Sequence, residues 1–185
     1  MRRRSLMLLP LLAACTPMPP PEDVSLPATA TVPGVGDPTR GAILASSVAF
    51  ASPGTVAGDP AAVATALAQL EYLAVALDGG AWRDIDPLVV PLLRQGRAEA
   101  RSAFGLRPDA SAQAAVDALY AAAAALRARD TKAAEAALRP VAPAGGVVPR
   151  LVSLPTLPQA IAGTTRARAA LAQRDRGGRD DRRLF

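Results

Sequence analysis

Three times in this chain an aspartate stands directly before a proline at the head of an apolar segment: Asp37-Pro38, Asp59-Pro60 and Asp86-Pro87. An N-cap aspartate accepts hydrogen bonds from the free N–H groups of a helix's first turn. Proline suits the first helical position, where its missing N–H would have had no partner. Neither residue belongs inside a central β-strand. The dipeptides therefore mark where helices start and argue against a sheet. Composition agrees, since 43 of the 185 residues are alanine and only 3% are aromatic. Alanine is the best helix former, whereas strands draw on β-branched and aromatic residues. The expected fold class is all-α, a small irregular bundle of about five or six helices with a core of leucine and small side chains.

The segments can be followed along the chain. Thr39–Ala51 is expected to be helical, with Ile43, Leu44, Val48 and Phe50 as core candidates. The helix opened by Asp59 should run to Asp78 and stop at Gly79-Gly80; its Val63, Leu67, Leu70, Ala74 and Leu77 draw one apolar stripe. Asp86 should cap a helix reaching Phe104, with a kink or restart at Pro91, which would clash with the preceding turn. Asp109 should open the next, with its stripe at Ala112, Val116, Leu119, Ala123 and Leu126. Asp130-Thr131 turns into a short helix ending at Pro140, and the proline-rich stretch 141–155 reads as loop. Thr156 and Gln159 have the spacing of a capping box for a last helix that fades near Asp175. The pair meeting at Asp130 loosely resembles one tetratricopeptide unit through Tyr120, Ala133, Leu138 and Pro140. No second copy recurs at a fixed period, so a repeat array is rejected.

Before these helices the chain has a different character. Met1-Arg2-Arg3-Arg4 is followed by an uncharged run, Ser5 to Ala14, and then by Cys15. A basic start, a short apolar stretch and small residues before a processing point are the parts of a secretory signal. The run is about half the roughly 20 residues that a spanning helix needs. Through Leu12-Ala13-Ala14-Cys15 the sequence resembles the bacterial lipoproteins. The resemblance implies cleavage between Ala14 and Cys15, diacylglycerol on the Cys15 thiol, and often a third acyl chain such as palmitate on its amino group. It also implies an anchored protein facing the periplasm. Thr16, in place of the aspartate that retains some such proteins in the inner membrane, leans toward the outer membrane. Two or three acyl chains satisfy the requirement for stable anchoring.

The expected organisation is a signal peptide at 1–14, a lipidated cysteine and proline-rich tether at 15–37, a helical domain at 38–175 and a disordered Arg/Asp-rich tail at 176–185. Fully extended as polyproline, the tether would reach about 70 Å, at about 3.1 Å per residue. The formal charge of +5 is concentrated at the ends: residues 166–185 hold seven Arg against three Asp. A nucleic-acid binder would carry a basic face on the domain itself, so no nucleic-acid partner is expected.

The search for chemistry is mostly exclusion. The chain has no histidine, and Cys15 is its only cysteine. Ser-His-Asp and Cys-His arrangements are therefore excluded, and so are the usual zinc ligand sets. No catalytic residue, metal site or cofactor is expected. The one ligand-site candidate is the loop carrying Trp82, Asp84 and Asp86, where an aromatic stands beside two acids as it does in sugar-binding clefts. The competing account makes Trp82 a core plug, Asp86 a helix cap and Asp84 the partner of Arg83 or Arg94. The expected function is a lipid-anchored cell-envelope protein, a non-catalytic interaction or structural module with the membrane and an envelope protein as partners. The alternative is a small-ligand or glycan-binding protein, or an enzyme, using the Trp82–Asp86 loop.

Overall fold

The computed structural model describes residues 22–30 and 36–181, with side chains through Gly177. The signal segment, Cys15, the first part of the tether and the end of the tail lie outside the described residues. Seven helices are present among those described, and no strand: α1 (Pro38–Ala51), α2 (Pro60–Ala76), α3 (Val89–Phe104), α4 (Ala112–Arg127), α5 (Thr131–Leu138), α6 (Val147–Arg150) and α7 (Pro158–Asp181). The chain is an all-α bundle. None of these helices is long and apolar enough to cross a membrane.

The aspartate starts form as local chemistry demands. Asp37 accepts from the Thr39 N–H at 2.9 Å, Asp59 from Ala62 at 2.9 Å and Asp130 from Ala133 at 2.9 Å. Asp86 accepts from Leu88 at 2.9 Å, but α3 begins only at Val89. The helix starts there rather than at Asp86 and has no kink or restart at Pro91, which becomes its third residue, where a backbone N–H has no intrahelical acceptor to lose. Two expected caps give way to others. Asp109 is held by Arg107 through two hydrogen bonds, and Ser111 caps α4 through the Ala114 N–H. Thr156 does not cap α7. The N–H groups of Gln159 and Ala160 donate instead to the Glu99 carboxylate of α3, at 2.9 and 3.1 Å. A carboxylate is the better acceptor there, since it also meets the positive end of the α7 dipole.

α2 is buried almost all round, as a helix apolar on every face must be. It packs against α1, α3 and α4. α7 packs on α3 and α1, so α1, α2, α3 and α7 close a four-helix ring. The α4–α5 hairpin covers the remaining side of α2, and α6 packs on α5 inside the stretch expected to be loop. The stripes hold, with Val63, Leu67, Leu70, Val116 and Leu119 all at 1% exposure or less. Val48 departs from expectation and lies 47% exposed on α1. α7 also outruns its expected end at Asp175, continuing to Asp181 through residues assigned to a disordered tail. Arg40 of α1 forks onto Asp175 through both carboxylate oxygens and ties that turn to the ring.

The α3–α7 contact is made through backbone. A Cβ on Gly96 would sit 2.6 Å from the Ala160 Cα, and one on Gly163 would sit 2.9 Å from the Leu93 nitrogen. Beside it lies a buried ion pair. Arg101 of α3 donates from Nε and one terminal nitrogen to Glu71 of α2, both at 2.7 Å, and from the other to the Pro108 carbonyl at 2.8 Å. Burial holds the Glu71 carboxyl above its ordinary value, more than the Arg101 hydrogen bonds lower it. The guanidinium ends above its ordinary value, held charged by Glu71 against the cost of burial.

Two predictions follow from this packing. Gly96→Ala and Gly163→Ala should each destabilise by about 1–3 kcal/mol, because backbone must separate to admit the methyl group. The same change at Gly177, also on α7 but with open space around it, should stabilise by roughly 0.5–1 kcal/mol through helix propensity. Urea unfolding of the three variants reads the opposite signs. Glu71→Gln should cost about 3–5 kcal/mol, since it leaves the Arg101 charge buried without its partner. A loss below 1 kcal/mol in the same assay would contradict that account.

Candidate functional site

Beyond α2 the chain turns at Gly79-Gly80 into a single 3-10 turn, Gly80–Trp82. Gly80 takes a φ of 56°, which a side chain would resist. The turn holds Trp82 half-buried, packed on the edge of the core. From α7, Arg174 lays its guanidinium 4.7 Å from the ring centroid and donates to the Ala81 carbonyl at 2.6 Å. A cation over an indole face is attracted by the ring quadrupole, and the carbonyl contact fixes it there. Trp82 is therefore not the enclosed plug expected of it. It forms part of the wall of an open groove of about 1190 Å³.

Three helices and the N-terminal segment build that groove. Thr39 of α1 and Tyr72 of α2 share a buried hydroxyl–hydroxyl hydrogen bond of 2.7 Å in its lining. Arg94 and Arg97 come from the middle of α3. Arg94 pairs with Asp78 at 2.7 Å and Arg97 with Glu22 at 2.9 Å. Glu22, Asp23 and Val24 close one side. The lining thus carries donors, acceptors, hydroxyls and two aromatics, Tyr72 and Trp82, with four of its five charges matched in pairs and Asp23 in no ion pair among the described residues.

The two acids of the loop are not in the groove. Asp86 is committed elsewhere: it accepts from the Leu88 N–H and from Arg166 of α7 at 2.7 Å. The Leu88 N–H first, and then Arg166, hold its carboxyl below the ordinary carboxylate value. A general acid needs the opposite shift. Asp84 is exposed and makes no ion pair among the described residues, while its expected partner Arg94 is taken by Asp78. Trp82, Asp84 and Asp86 share a loop but do not share a site. No cluster of three metal-binding side chains occurs among the described residues.

Sequence reasoning missed the groove because its walls come from positions 22–24, 39, 72–82 and 94–97. The sequence did carry a signal for the buried Glu71–Arg101 pair, though not for the groove. Glu71 is the only charged residue within α2, an otherwise apolar helix, and such a group requires a partner from another helix. A second feature carries no signal at all: the Tyr120 hydroxyl is buried without a hydrogen bond of full geometry among the described residues, and burial raises its pKa although the neighbouring Gln69 side chain lowers it.

Compared with known protein families, with curated proteins and with solved structures, the chain matches none.

Trp82 gives the geometry of the groove a direct test. Arg174→Ala should uncover one face of the ring, shift its emission to the red and raise its quenching by acrylamide. Trp82→Ala should cost about 1–3 kcal/mol, less than the ~3–5 for a fully enclosed aromatic. Unchanged emission in the Arg174 variant would mean that the arginine does not cover the ring.

Proposed function

We propose that this chain is a lipid-anchored protein of the bacterial cell envelope whose helical domain acts as a non-catalytic binding module. The observation that carries the reading is the run Arg2-Arg3-Arg4, an apolar stretch, and Leu12-Ala13-Ala14-Cys15. The sole cysteine of the chain falls at the one position where acylation would consume its thiol. Thr16 supports the outer membrane as the destination, with the domain facing the periplasm. The absence of histidine and of a second cysteine removes the commonest nucleophile and base pairings, which supports binding over catalysis.

The groove beside Trp82 supports a more specific second reading, in which the module takes a small polar ligand such as a glycan. Trp82 offers an aromatic edge, and the Thr39–Tyr72 hydroxyls with the Arg94–Asp78 pair offer both donors and acceptors. In that reading Asp84 and Asp86 have no part, since neither belongs to the groove lining.

Labelled fatty acid supplied to cells expressing the protein should enter the parent chain and not Cys15→Ala, which should persist as the uncut precursor. Equal labelling of the two would end the lipoprotein reading. For the ligand reading, wall-derived glycan fragments should change Trp82 emission in a saturable way in the parent chain. They should do so in Asp84→Ala as well.

A further inference from the structure

The segment assigned to a tether does not stay clear of the domain. Residues 22–30 are docked along it, with Val24 and Leu26 half-buried against the core. The Ser25 N–H donates to the Gln113 side-chain oxygen of α4 at 2.7 Å, and the Gln113 amide donates back to the Ser25 carbonyl at 3.3 Å. Glu22 pairs with Arg97 of α3 at 2.9 Å. The segment ends in a 3-10 turn, Ala28–Ala30. Two apolar contacts, a two-way amide contact and an ion pair together make it a strap across α3 and α4.

We infer that this strap holds the domain against the bilayer with the Trp82 groove on the membrane-facing side, so that the surface presented to lipid is set by where Glu22 docks. The inference rests on the lipid anchor proposed at Cys15. Between Cys15 and Glu22 lie only Thr16 to Pro21. Seven residue steps span at most about 25 Å even when fully extended. An undocked tether running to Asp37 would reach about 70 Å. The domain itself, at roughly 140 residues, has a radius of gyration near 14 Å and is thus roughly 37 Å across. The leash is shorter than the body it holds. The domain cannot invert, because inversion would carry Glu22 farther from the bilayer than the leash allows. Glu22 and Asp23 are themselves lining residues of the groove, so its rim lies within that same reach of the headgroups. A ligand for the groove must therefore be accessible within that distance of the membrane surface.

The single tryptophan of the chain lies in this groove and reports the distance. The full mature chain, anchored through Cys15 in phosphatidylcholine vesicles that carry a dansyl headgroup lipid, should show strong energy transfer from Trp82. Twenty Gly/Ser residues inserted between Pro21 and Glu22 should reduce that transfer several-fold. Glu22→Ala combined with Gln113→Ala, which frees the strap, should reduce it in the same direction. Transfer in the parent chain no stronger than in the insertion variant would overturn the inference. Anchoring the same lone cysteine to a maleimide phospholipid separates the two readings. Absence of fatty acid on the native chain refutes the lipoprotein reading, whereas weak transfer in the chemically anchored chain refutes the strap.

Discussion

The arrangement of this domain depends on how closely α3 approaches α7. Gly96 and Gly163 let two helix backbones meet where any side chain would hold them apart. The close approach brings Glu99 within reach of the α7 N-terminus, so one helix supplies the cap of another. It also closes the ring of α1, α2, α3 and α7. With that ring closed, Arg40 can reach Asp175, Arg166 can reach Asp86 and Arg174 can lie over Trp82. Three arginine contacts across the bundle thus depend on two missing Cβ atoms.

A core of alanine and leucine makes such closeness useful. Small side chains bury little apolar area each, so stability must come from many contacts at short interaxial distance. The Glu71–Arg101 pair adds specificity at a cost. Both groups are nearly inaccessible, and the Coulombic gain of such a pair roughly offsets its desolvation. What the pair does contribute is register. It locks α2 to α3 and, through the Pro108 carbonyl, sets the path of the chain into α4. That path places Gln113 where the strap can dock.

The groove is a by-product of the same packing. α2 ends before its neighbours close over it, the 3-10 turn swings Trp82 to the rim, and the strap supplies the missing wall. Its two arginines are already paired, Arg94 with Asp78 and Arg97 with Glu22, so there a ligand would exchange hydrogen bonds with the protein rather than meet bare cations. This favours a neutral polar ligand over a strongly ionic one.

Much of the fold was legible along the chain because its determinants are local. An aspartate capping an N–H two or three residues on needs no other helix, so Asp37, Asp59 and Asp130 could be read directly, and so could the apolar stripes of α2 and α4. The Leu12–Cys15 motif is local in the same way and supports an address without a fold. Tertiary structure decided the remainder. The cap of α7 comes from sixty residues away, the strap's partner from eighty-eight and the cover on Trp82 from α7. At those separations the pairing depends on how the helices cross. That crossing is set by Gly96 and Gly163, whose close approach is invisible until both backbones are in place. Trp82 shows the consequence: its neighbours in sequence suggest a plug beside two acids, and its neighbours in space make it the rim of a groove that neither acid enters.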